Sequence, residues 1–135
     1  MPDTPPDPAR VDWHQQELLL IREVGRLLGR SVEPHFVIRQ TLRLLSEWVG
    51  LTRGRVLLWD AAEEALRIRH WYGLTAEEAA RGVFARGEGV CGGVLRTGLP
   101  RVVQDTDAGP DFRARSVGRA RLPKETVSFI AVPLR

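Results

Sequence analysis

The sequence predicts an α+β domain with a mostly antiparallel sheet and helices packed against it. The first half of the chain repeats its apolar residues at helical spacing, and after Gly50 the repeat changes to two. Several of the alternating stretches are joined by links far shorter than the dozen or so residues of a parallel crossover. At 135 residues the chain has room for one such domain, and a chain of this size buries roughly two thirds of its unfolded surface.

Residues 11–28 form the first predicted helix, with Leu20, Val24, Leu27 and the neighbouring Ile21 and Leu28 at i, i+3, i+4, i+7 spacing and Gly29 as the stop. A second helix follows, with Ser31 as its N-cap and Pro34 in its first turn. Ile38, Leu42, Leu45 and Val49 fall on one face and Val37, Leu44 and Trp48 on another, so burial on two sides is expected before Gly50 ends it. "RVLLWD" and "EALRIRHWY" read as two antiparallel strands around an acidic turn, with Leu66, Ile68, His70 and Tyr72 sharing a face of the second. Thr75 and Glu78 make a capping box for the short helix "AEEAAR". A short strand at "VFAR", a two-turn helix over residues 90–96 and the strand "RVVQD" come next. "SFIAVPL", apolar on both faces, is expected at the centre of the sheet.

Gly87, Gly89 and Gly92 spell G-x-G-x-x-G, with Asp105 further on. A dinucleotide fold would need a buried strand before these glycines and a long helix after them. "VFAR" is short and charged, only about two helical turns fit between Gly89 and Gly98, and Glu88 would face the pyrophosphate. The glycines instead suit a tight turn at Gly87 and Gly89, close helix packing at Gly92 and Gly93, and a left-handed cap at Gly98. The short helix then begins with open N–H groups that favour an anion or carboxylate.

Composition removes several function classes. Cys91 is the single cysteine, and His14, His35 and His70 are scattered, so no zinc set is assembled by spacing. No apolar run is long enough to span a membrane, and the proline-rich residues 1–10 lack the apolar core of a signal peptide, so a disordered lead-in and a cytoplasmic location are expected. The net charge is +3, but of twenty cations only Lys124 is a lysine, which argues against a dedicated DNA-binding face. In "DFRARSVGRARLPKE" five cations, Arg113, Arg115, Arg119, Arg121 and Lys124, stand without an acid between Asp111 and Glu125. That segment reads either as a solvated loop or as an anion or partner contact.

"GEGVCGGVLRTGLPRVVQD", the following "PDFRARS" and the closing "VSFIAVPLR" resemble the GAF domain, over about residues 18–135. More narrowly, "YGLTAEEAARGVFARGEGVCGGVLRTGLP" is similar to the amino-terminal GAF domain of NifA-type nitrogen-fixation activators, which work with sigma-54 RNA polymerase. The resemblance implies a GAF-like antiparallel sheet with helices on one face and a ligand pocket under the loops. It assigns residues 11–135 to that domain, ending at Arg135 before the family's last strand and C-terminal helix. By position, Tyr72, Val90, Cys91, Asp105, Phe112 and Arg113 would border the pocket. Cys91 is there either a small buried apolar residue or a ligand-sensing thiol; Asp105 is a loop-capping carboxylate and Arg113 the best candidate to hold an anionic ligand.

The implied function is non-catalytic sensing of a small metabolite such as 2-oxoglutarate or of an anti-activator protein, with the change passed to an AAA+ ATPase and a helix-turn-helix domain that this chain does not contain. A dimerisation or protein-contact module and a cyclic-nucleotide GAF domain are the alternatives. A methionine sulfoxide reductase of the GAF type uses several cysteines, and bilin sites follow their cysteine with His where Gly92 stands here. A homodimer is expected through Leu20, Val24 and Leu27 of the first helix.

Overall fold

The computed structural model describes residues 12–108 and 116–134. The lead-in expected over residues 1–10 falls outside them. Two compact units divide the chain, one through Gly54 and one from Arg55.

The first unit is a helical pair. α1 spans Trp13–Arg30, and the Asp12 carboxylate caps it by accepting from the Gln15 N–H at 3.2 Å. Gly29 does not stop this helix, because glycine alone costs only about 1 kcal/mol in a helix. The end comes at Ser31, in extended backbone, whose N–H still donates to the Leu27 carbonyl at 3.2 Å. Ser31 is consequently not the N-cap of the next helix. α2 spans Pro34–Val49, Glu33 holds the cap position, and Pro34 supplies the first helical residue, where its missing N–H costs nothing. Ser31 Oγ instead accepts from the Glu33 N–H within the link. Gly50 closes α2 in the left-handed conformation at φ 79°, its N–H donating to Ser46. Val37 and Leu44 of α2 are buried, and the α1 residues that are half-buried include Leu20, Val24 and Leu27.

The second unit holds the strands. β1 (Gly54–Asp60) and β2 (Ala65–Tyr72) are neighbours, and Asp60 organises their turn by accepting from the N–H groups of Ala62 and Glu63. β2 pairs antiparallel with β3 (Val83–Phe84), with Leu66 opposite Phe84. Between them α3 (Ala76–Arg81) starts with the predicted capping box: Thr75 Oγ1 accepts from the Glu78 N–H at 3.1 Å and Glu78 Oε1 from the Thr75 N–H at 2.9 Å. α4 spans Gly89–Thr97 and ends at Gly98, left-handed at φ 68°. β4 (Arg101–Val103) and β5 (Phe129–Ala131) pair antiparallel as a separate two-stranded sheet, and the Thr106 N–H extends their contact to the Val127 carbonyl.

The described strands therefore form two sheets rather than the one expected. β5 is short and lies beside β4 alone among them, with Ile130, Val132 and Leu134 exposed. The apolar character of "SFIAVPL" on both faces predicts a central strand, whereas among the described strands β5 pairs with β4 in a two-stranded sheet. The core of the unit is Leu66, Ile68, Ala79, Phe84, Val90, Val94, Val103 and Val117.

Arg121, one of the five cations read as a loop or contact run, has a partner that sequence distance concealed. Its guanidinium donates to both carboxylate oxygens of the buried Glu78, at 2.9 and 3.3 Å. Ser116 Oγ donates to the Glu78 carbonyl at 2.5 Å, and Arg81 to the Ser116 carbonyl at 3.0 Å. Residues 116–121 are thereby fastened to α3. The Thr75 N–H above all, and then Arg121, hold the Glu78 carboxyl below the usual carboxylate range.

Candidate functional site

α4 is positioned by its glycines. Gly87 and Gly89 take φ values of 77° and 63°, turning the chain from β3 into the helix, and the Gly87 N–H donates to the Gly92 carbonyl at 2.9 Å. A Cβ on Gly92 would overlap the Ala85 carbonyl oxygen, so this face of α4 sits directly on backbone. At Gly93 a Cβ would meet nothing within 4 Å. Close packing is the role of Gly92 alone, not of both glycines.

Such a setting is no dinucleotide loop. β3 is two residues long, α4 nine, and the strand after α4 pairs with β5 instead of lying parallel to β3. Glu88, at the N-cap position, directs a carboxylate oxygen back to the Ala85 N–H at 2.9 Å and makes no side-chain cap on α4.

A cation, Arg55, interacts electrostatically with Cys91 in the first turn of α4. Arg55, near the start of β1, is half-buried, and its guanidinium carbon lies 4.9 Å from the centre of the Phe129 ring on β5. That separation is within cation–π range. Cys91, in the first turn of α4, is its electrostatic neighbour. Burial pushes the Arg55 guanidinium below its ordinary range, with Cys91 opposing; burial pushes the Cys91 thiol up, with Arg55 opposing. Arginine stays charged under any such shift. The site is thus a cation beside a neutral thiol, an aromatic face and a helix start. Among the described residues no acidic side chain forms an ion pair with Arg55. Chemically it suits a small anion.

Of the residues expected at a pocket, Val90 is buried and Cys91 half-buried in the first turn of α4, and Tyr72 is half-buried at the end of β2. Asp105 accepts from the Asp107 N–H at 2.9 Å, closing the turn after β4. Phe112 and Arg113 lie outside the described residues. Arg55 and Phe129 were missed. The available signal was an arginine sharing a face with Leu57 and Trp59 on a strand. At the far end of β1, Trp59, Ala61, Glu64, Ala85 and Arg86 line an open groove of 610 Å³, across which Arg86 stacks 4.9 Å over Trp59. None of the expected pocket residues among those described borders it. Among the described residues no three His, Cys, Asp or Glu side chains converge as a metal would require, and no helix is long and apolar enough to cross a membrane.

Short antiparallel strands around a glycine-bounded helix, with the half-buried Arg55 beside its first turn, define a small α+β domain. The GAF domain model matches residues 33–135, and the chain belongs to the GAF family. It is similar to the Nif-specific regulatory proteins of Azospirillum lipoferum and Azospirillum brasilense, each 36% identical over 130 residues, 96% of this chain and 21% of the relative. The nitrogen fixation protein VnfA of Azotobacter vinelandii is 33% identical over 118 residues, 87% of this chain and 23% of its own. The chain thus spans about a fifth of the length of these curated relatives. Among solved structures, the nlh2 GAF domain of A. aeolicus in an inactive state aligns with a TM-score of 0.76 at 23% identity, over 89% of this chain and 71% of that one. Free methionine-R-sulfoxide reductase from Neisseria meningitidis, in complex with its substrate, aligns at 0.61 and 25% identity, over 76% and 58%.

Proposed function

We propose that this chain is the amino-terminal regulatory GAF domain of a sigma-54-dependent activator of nitrogen-fixation genes, and that it senses a small anionic metabolite of the 2-oxoglutarate class at Arg55. The similarity to Nif-specific regulators over 96% of the chain supports the regulatory role. The observation that carries the ligand reading is the half-buried Arg55 guanidinium, 4.9 Å from the centre of the Phe129 ring and the electrostatic neighbour of Cys91 in the first turn of α4, with no acidic partner among the described residues. In the full-length protein the change would reach an AAA+ ATPase and a helix-turn-helix domain, and an anti-activator protein is a second candidate input. The role is non-catalytic: a sulfoxide reductase needs cysteines to attack and to resolve, and this chain has Cys91 alone.

Calorimetry with 2-oxoglutarate, succinate and cyclic AMP tests this reading. The dicarboxylates should bind and cyclic AMP should not. Arg55→Gln should weaken binding about ten- to a hundredfold, since one charge-assisted hydrogen bond contributes roughly 1.5–3 kcal/mol. Arg113→Ala, run beside it, separates an anchor on β1 from one on the loop. Equal affinity in wild type and Arg55→Gln would remove Arg55 from the site, and heat with no carboxylate would leave a protein-contact module.

A further inference from the structure

Thr106, just past β4, is only 7% exposed, and its buried hydroxyl oxygen has no hydrogen-bond partner among the described residues. The backbone around it is served: the Thr106 N–H donates to the Val127 carbonyl at 2.8 Å, and the neighbouring Asp105 carboxylate is turned onto the Asp107 N–H. A buried hydroxyl without a partner is costly, and folded chains keep few of them unless a water, an ion or a ligand completes the bond. One such group can donate a single hydrogen bond and accept two.

Strand register places this hydroxyl close to the Arg55 site. Val103 stands opposite Phe129 in the β4–β5 ladder, so the two side chains share one face of that sheet. Val102 and Ile130, the next pair, face the other way and are exposed. Val103 is buried, and Phe129 carries the Arg55 guanidinium carbon 4.9 Å from its ring centre, so the inner face of the sheet is the one that meets Arg55. Val127, to which Thr106 is bonded, lies two residues from Phe129, which limits their Cα separation to about 7 Å. With the outer face in solvent, the buried Thr106 side chain belongs to the inner one. Arg55, Cys91, Thr106 and Phe129 all lie in the second unit.

The two polar groups differ in what they can hold. A guanidinium matches a carboxylate, whose two oxygens take parallel N–H donors. A lone buried hydroxyl matches a neutral oxygen, because a second carboxylate there would be a buried charge served by one donor. We infer that Thr106 is a specificity residue of the Arg55 site, its hydroxyl donating to the oxo or hydroxyl oxygen of a small acid whose carboxylate Arg55 holds. The inference rests on the metabolite reading of that site and narrows its ligand class from small carboxylates to oxo and hydroxy acids.

Calorimetry of the full 135-residue chain with 2-oxoglutarate and glutarate, which differ only in the oxo group, tests it. Wild type should prefer 2-oxoglutarate by about two- to thirteenfold, the yield of one neutral hydrogen bond. Thr106→Val, close in shape but without the hydroxyl, should lose the preference and keep the affinity for glutarate. Thr106→Ser should retain the preference, and Arg55→Gln should weaken both acids while leaving it in place. Urea unfolding without ligand supplies a second readout: valine removes an unpartnered polar group, so the Thr106→Val midpoint should rise at unchanged slope. Equal binding of the two acids by wild type, a preference that survives valine, or a Thr106→Val chain less stable than wild type would each overturn the role of Thr106 and leave Arg55 as the anchor. Binding of neither acid by wild type would overturn both.

Discussion

Gly92 and Gly93 are adjacent in α4 and both buried, yet alanine should act on them with opposite sign. At Gly92 the new methyl would overlap the Ala85 carbonyl oxygen and approach the Gly87 backbone within 3.1 Å. These obstacles are backbone and cannot rotate away, so the strain falls in the upper part of the overpacking range, about 2–3 kcal/mol. Alanine regains about 0.5–1 kcal/mol of helix propensity, which leaves Gly92→Ala less stable by about 1–2.5 kcal/mol. At Gly93 nothing lies within 4 Å of the methyl. There the propensity term acts alone, and Gly93→Ala should be more stable by about 0.5–1 kcal/mol. Urea unfolding of both variants checks this, the midpoint moving down for the first and up for the second at unchanged slope. In a thermal melt the two should separate by roughly 6–14 °C for a domain of this size. A Gly92→Ala protein as stable as wild type, or a Gly93→Ala protein destabilised to match it, would refute the close approach of α4 to the β3 turn.

The Glu78 clasp should show in the acid limb of stability. Its folded carboxyl titrates below the usual value because the Thr75 N–H and then Arg121 favour the charged form. Its contribution is accordingly complete above the unfolded glutamate value of about 4.3 and is lost as pH falls through the lower folded value. Glu78→Gln should be less stable than wild type at neutral pH, the difference closing as pH falls through that window; a difference independent of pH would refute it. Cys91, whose thiol is held protonated chiefly by burial with Arg55 opposing, should react with iodoacetamide more slowly in the folded chain than in urea at the same pH. Arg55→Gln should slow it further. A folded rate equal to the unfolded one would place Cys91 outside the buried site.

Much of this fold was legible because it rests on local chemistry. The capping box at Thr75 and Glu78, the left-handed glycines at positions 50 and 98, the Asp60 turn and the alternation of Leu66 and Ile68 each depend on residues a few positions apart. The helix boundary at Gly29 misled for the complementary reason, since a weak propensity yields to the hydrogen bonds of the turns around it.

By itself, then, the sequence determined an α+β domain, the glycine-bounded helix and its unsuitability for a dinucleotide. Tertiary structure alone decided that Arg55 and Phe129 meet beside Cys91, that Arg121 belongs to Glu78, that β5 borders β4, and which stripe of α1 is left in solvent. The physical reason is common to all four. Periodicity records that a side chain prefers burial or charge neutralisation, whereas the partner that satisfies it is chosen by chain crossings tens of residues away, where no local propensity reaches.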